Sequence, residues 1–206
     1  MTSSKEISLT DNESPKNPRP SFILLLGPSG VGKSTLIENI KFYFPVDYVN
    51  PVMDRPLRID EKDKLSISKD EFTKMEKNEE FIVVNNIYGY RYGTPKAKID
   101  EILNNGRVPV LDFPLSMVDR LSKYKDILYT IYIVPPSLGT LHQRLNKDQR
   151  GEGNQRFVEA KRELLGLVKQ KFQHPNIDAV VVNKSFEVAT SNLSSILDAR
   201  LYSGQS

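Results

Sequence analysis

The stretch Phe22-Ile23-Leu24-Leu25-Leu26-Gly27-Pro28-Ser29-Gly30-Val31-Gly32-Lys33-Ser34-Thr35 decides how this chain is read. Its first five residues form an unbroken apolar run, the pattern of a strand covered on both faces in a parallel sheet. Leu36, Ile37 and Ile40 then resume at helical spacing. Between strand and helix, Gly27 to Ser34 fits Gly-x-x-x-x-Gly-Lys-Ser/Thr in full, in the context that this phosphate-binding loop (P-loop) requires. Glycines let successive backbone N–H groups close around phosphate oxygens, and the helix N-terminus adds partial positive charge. Gly27, Pro28, Ser29, Gly30, Val31, Gly32, Lys33, Ser34 and Thr35 are therefore the candidate holders of ATP-type phosphates. Lys33 is the candidate catalytic cation on the outer phosphates, and the Ser34 hydroxyl is a candidate magnesium ligand.

Outward from the loop, residues 1–20 are rich in Ser, Asn, Pro and charge, and read as a disordered tail. Downstream, Ser68-Lys69-Asp70-Glu71 is a capping box that opens a helix carrying Phe72 and Met75. Phe81 to Ile87 reads as a strand ending in a Tyr/Gly-rich turn, Tyr88 to Gly93. Thr94 suits the N-cap and Pro95 the first position of a helix striped by Ile99, Ile102 and Leu103 and closed by Gly106. Val108 to Leu111 and Ile127 to Val134 are further buried strands, and Ser137 opens a helix carrying Leu138, Leu141 and Leu145. After a polar stretch, Asn146 to Gln155, a longer helix aligns Phe157, Leu164, Val168 and Phe172. Ala179 to Val182 is a last strand and Phe186 to Leu201 a last helix. Strands alternating with helices predict an α/β fold with a parallel sheet wrapped on both faces, without internal repeats.

The 206 residues suit one domain with a sizeable core. With no cysteine, disulfides and thiolate zinc sites are excluded, and the two histidines, His142 and His174, are far apart. The net charge is +3, and between Leu141 and Pro175 eight Lys/Arg face four Asp/Glu, so the surplus sits in one region suited to a polyphosphate. The pI of about 8.9 falls short of a dedicated nucleic-acid binder. No apolar run reaches membrane-span length, and the N-terminus lacks an apolar signal core. A cytoplasmic protein with no nucleic-acid or membrane partner is expected.

The wording of the loop, with Pro28 and Thr35, resembles the guanylate kinases, and the similarity continues in order over about residues 21–200. Arg55-Pro56-Leu57-Arg58 resembles that family's Arg-x-x-Arg pair, which implies that Arg55 and Arg58 grip the acceptor's phosphate. Tyr92-Gly93-Thr94 resembles its Tyr-Gly-Ser/Thr turn, implying that Tyr92 touches the same phosphate and Thr94 the base. The N-cap reading of Thr94 stands beside that role. Val110-Leu111-Asp112 is similar to the strand ending at the magnesium, which makes Asp112 a metal candidate beside Ser34. Val134-Pro135-Pro136-Ser137-Leu138 resembles the Pro-Pro-Ser segment, and Arg150 and Arg156 fall where the catalytic lid arginines belong. The resemblance implies a P-loop nucleoside monophosphate kinase fold over residues 21–206, with an inserted acceptor-binding subdomain at about 46–94 and a short lid at about 146–156. It also implies ATP and Mg²⁺ as cofactors. Phosphoryl transfer asks for positioning and charge neutralisation, which planar arginine forks on one phosphate and a lysine on the other supply.

This chain departs from the family pattern where the acceptor's base is read. Val83 stands where a guanine-reading glutamate belongs, Pro51 replaces a serine, Lys64 a tyrosine, and Pro114 the second acid of an Asp-x-Asp motif. A guanine donor left unpaired costs about 1–3 kcal/mol per buried group. The acceptor is therefore expected to be a phosphorylated small molecule, GMP by family default. A sugar phosphate such as a ribose bisphosphate is an alternative, and a non-catalytic guanylate-kinase-like binding module is a second. The intact P-loop favours catalysis.

Overall fold

In chain order the strands are β1 (Phe22–Leu26), β2 (Val46–Tyr48), β3 (Val52–Met53), β4 (Leu65–Ser66), β5 (Phe81–Ile87), β6 (Tyr90–Pro95), β7 (Val108–Asp112), β8 (Leu128–Val134) and β9 (Ala179–Val182). The helices are α1 (Lys33–Ile40), α2 (Lys69–Lys77), α3 (Lys96–Asn104), α4 (Leu138–Lys147), α5 (Gly153–Lys169) and α6 (Phe186–Tyr202). They come from a computed structural model that describes residues 17–57, 64–87, 89–148 and 153–203. β1 lies at the centre of a five-stranded sheet ordered β2-β7-β1-β8-β9, all parallel. Its five side chains are fully buried, as an apolar run with no polar alternation requires. The main core gathers around it from α1, α3, α4, α5 and α6, through residues such as Ile37, Ile102, Leu145, Leu164 and Leu197. Phe22 meets Tyr124 edge to face at 5.4 Å. Among the described residues no helix is long and apolar enough to cross a membrane.

A second sheet, ordered β4-β3-β6-β5, is inserted between β2 and α3 and carries its own small core of Val52, Phe72 and Phe81. The capping box forms as the sequence predicts: Ser68 accepts from the Glu71 N–H, and the Glu71 carboxylate accepts from the Ser68 N–H. α2 then lays Phe72 against Phe81, with stacked rings 4.7 Å apart. Arg91 on β6 ties this helix down. Its side chain donates to the Asp54 carboxylate at 2.7 Å, to Glu76 and Thr73 at 3.1 Å, and to the Lys69 carbonyl at 3.0 Å, over the Phe72 ring.

Burial pushes the Asp54 carboxyl up, but hydrogen bonds and charge from Arg91 outweigh it and hold the group below its ordinary value of 3.8. A depressed carboxylate contributes its stability fully above pH 3.8 and loses it as pH falls through the folded value. Arg91→Ala is expected to destabilise the protein by about 2 kcal/mol at neutral pH. In urea titrations that gap should shrink at about pH 3. An equal gap at both pH values would show that the pair is no clamp.

Four expectations change. The Tyr/Gly-rich stretch is not merely a turn: Tyr90–Pro95 is strand β6, paired antiparallel with β5. Gly93 suits that strand because a Cβ there would lie 2.5 Å from the Phe81 ring. Thr94 is no N-cap, since it sits in β6 and α3 begins one residue later, with Pro95 at its N-cap. Pro95 remains extended (ψ 128°), and its missing N–H costs nothing at a helix start. The stripe of α5 is rotated: it buries Arg156, Ala160, Leu164 and Leu167, while Val168 is 55% exposed and Phe172 lies past the helix end. Hydrophobic periodicity presumes an apolar inner face, and a buried arginine breaks that presumption. Finally, Arg19 belongs to the folded body, its backbone N–H donating to the Leu201 carbonyl at 2.8 Å; residues 1–16 of the expected tail lie outside the described residues.

Candidate active site

β1 ends at the sheet's C-terminal edge, and there the chain turns through the loop into α1. Gly32 is the N-cap of α1 at φ 95°, a left-handed conformation that side chains rarely adopt. A Cβ there would also lie 2.6 Å from Nδ2 of Asn183, which donates to the Val31 carbonyl at 2.7 Å. Asn183, just past β9, therefore buttresses the loop from behind. The Lys33 ammonium donates to the carbonyls of Gly27 at 2.7 Å and Pro28 at 3.2 Å, which hold it at the loop's mouth.

Among the described residues, two chambers meet at this loop. The first, of about 300 Å³, is lined by Ser29, Gly30, Gly32, Lys33, Ser34, Thr35, Asp112, Arg144 and Asp148. The second, of about 410 Å³, includes Gly27, Pro28, Ser29, Lys33, Ser34, Arg55, Tyr92, Thr94, Asp112 and Arg156 in its wall. Ser29, Lys33, Ser34 and Asp112 belong to both. Val31 points the other way and is fully buried in the core, so it can serve a phosphate only through its backbone.

Arg55, 5% exposed, follows β3, and its Nε donates to the Tyr92 hydroxyl at 2.6 Å. The pairing of β3 with β6 sets Met53 opposite Tyr92 and brings the two together. Arg156 is held across the cleft: its guanidinium donates to the Ser29 hydroxyl at 2.7 Å and to the Asp148 carboxylate at 2.9 Å. Arg58 and Arg150 lie outside the described residues.

Residues that sequence reasoning passed over also enter. Tyr48 on β2 donates to the Asp112 carboxylate at 2.7 Å and so orients it. Arg144 on α4 lines the first chamber and donates to the Asn183 carbonyl at 3.1 Å. Glu163 in the second chamber accepts from the Tyr132 hydroxyl, whose pKa is pushed up by burial and by that carboxylate. Asn85 and Ile87 of β5 line the second chamber, together with Pro51, Lys64 and Pro114, which the sequence had already marked as departures from the family pattern. Val83 is 3% exposed and packs into the main core instead. The Asn183 neighbourhood carried a local signal, as the end of a predicted strand, and Asn85 and Ile87 fall inside the predicted strand Phe81 to Ile87.

Ser34 and Asp112 offer one hydroxyl and one carboxylate on the wall shared by both chambers. Among the described residues no cluster of three or more His, Cys, Asp or Glu could hold a metal by itself. This donor set fits magnesium, which takes few protein ligands and fills its octahedron with phosphate oxygens and water.

A family model described as guanylate kinase matches residues 19–200. The chain is 32% identical to a guanylate kinase of Maricaulis maris over 188 residues, covering 88% of this chain and 84% of that protein. It is 30% identical to a guanylate kinase of Lactobacillus acidophilus, covering 86% and 88%. The crystal structure of guanylate kinase from Anaplasma phagocytophilum superposes with a TM-score of 0.68 at 22% identity, covering 92% of this chain and 89% of that one.

Proposed function

Because the chain belongs to the guanylate kinase family, and so is a nucleotide kinase using ATP with Mg²⁺, we propose that it transfers the γ-phosphoryl group of ATP to GMP, giving ADP and GDP. The observation that carries this reading is the wall common to both chambers, made by Ser29, Lys33, Ser34 and Asp112. Two phosphorylated ligands placed in those chambers would meet end to end at one lysine.

In this reading Arg55 and Tyr92 hold the acceptor's phosphate, while the loop's N–H groups and Lys33 hold the outer phosphates of ATP. An acceptor phosphate oxygen attacks the γ-phosphorus in line. The bond from that phosphorus to the oxygen it shares with the β-phosphate breaks, and the electron pair leaves on ADP. The second pKa of a phosphate monoester is about 6, so the attacking oxygen needs no general base near neutrality. Arg156 lies against Ser29, where it can neutralise charge gathering on the transferred group. Magnesium, when bound at Ser34 and Asp112, supplies further neutralisation and orients the phosphates.

An acceptor screen tests the reading. With ATP and magnesium, ADP should form on addition of GMP, and far less on addition of ribose 5-phosphate or ribose bisphosphates. Turnover of a sugar phosphate with none of any nucleoside monophosphate would overturn it.

A further inference from the structure

The wall of the second chamber is decided by a β-bulge. Phe81 pairs with Pro95, but Val83 pairs with Thr94, so two steps along β5 match one along β6. The extra residue inverts the alternation: beyond it Val83, Asn85 and Ile87 share the face of Thr94, Tyr92 and Tyr90, while Phe81 points into the small core on the other side. Val83 is covered by the main core, and the next residue on this face is Asn85. Asn85 lines the chamber directly opposite Tyr92, and its Oδ1 is buried without a hydrogen-bond partner among the described residues. A buried carbonyl left unpaired is costly, and a turn of the Asn85 side chain into the chamber that this residue lines would let a ligand donate to it.

Resting on the acceptor reading above, we propose that Asn85 is the residue that reads the acceptor's base, through a two-point amide pair. A carboxamide presents one acceptor and one donor side by side. That pair matches a base edge with a ring N–H next to a carbonyl, as in guanine and hypoxanthine. Anchored by Arg55 and Tyr92, the acceptor's phosphate leaves the base to reach along this face, where Thr94 and Asn85 are polar side chains that flank Tyr92 and line the chamber. Asn85 does not call on the exocyclic amino group at C2, so the enzyme should discriminate weakly between GMP and IMP.

Steady-state kinetics of the full chain with ATP and magnesium test this. Wild type should use GMP and IMP with kcat/KM values within about tenfold of each other. Asn85→Ala should raise KM for both by about 10- to 100-fold, with KM for ATP unchanged. Inhibition by ribose 5-phosphate, which has no base, should also be unchanged. In Asn85→Asp the side chain can only accept, so guanine with two N–H donors should gain on hypoxanthine with one, and the GMP-to-IMP ratio should rise about tenfold. A structural role for Asn85 would not move that ratio. Unaltered KM values in Asn85→Ala, or an unaltered ratio in Asn85→Asp, overturn the assignment while the acceptor reading stands. Failure of wild type to bind or turn over any nucleoside monophosphate overturns both.

Discussion

Lys33→Ala should lower kcat by about three orders of magnitude or more, with the fold intact. Among the described residues Lys33 is the one lysine on the wall shared by both chambers, held there by the carbonyls of Gly27 and Pro28. Charge spreads over the transferred group's oxygens in the transition state, so a cation on that path counts for more there than in the ground state. A thousandfold loss corresponds to about 4 kcal/mol of barrier. KM for either substrate should move much less than kcat. The side chain is not part of the hydrophobic core, so the thermal midpoint should stay close to wild type. Normal turnover in a folded Lys33→Ala protein would remove the mechanism proposed above.

Arg55→Ala should raise KM for the acceptor by about a hundredfold and leave KM for ATP near its wild-type value. Arg55 is nearly buried, its Nε is committed to Tyr92 and Nη1 donates to the Pro56 carbonyl at 2.7 Å, so the guanidinium is fixed before a ligand arrives. A pre-set planar fork loses little entropy in gripping a phosphate, and its removal also leaves the Tyr92 hydroxyl without this donor. Arg55→Lys should restore little, because an ammonium cannot donate in two parallel directions. An equal rise in KM for ATP and acceptor would place Arg55 outside the acceptor's grip.

Much of the fold was legible in one dimension. The apolar run of β1, the loop and the start of α1 are contiguous, so their chemistry and geometry are written together. The caps at Ser68 and Ser137 were legible too, because a cap bonds only a few residues ahead of itself. The short strands β2, β3 and β4 hold two or three residues each and leave no periodicity to detect. The rotation of α5 was hidden because Arg156 occupies a buried position that pattern reading assigns to an apolar residue. Tyr48, Arg144 and Asn183 reach the site through the parallel sheet order, which brings together segments far apart in sequence.

By itself, then, the sequence determined a P-loop on a parallel sheet and, by resemblance, named the residues expected to face phosphate. Those depend on local backbone geometry and on residue types that cannot be exchanged. The tertiary structure alone decided which residues of β5 line the chamber beside Tyr92. One residue too many between Phe81 and Val83 inverts the faces of β5, and because a strand alternates sides at every residue, only the observed pairing with β6 tells that Val83 goes inward and Asn85 meets the cleft.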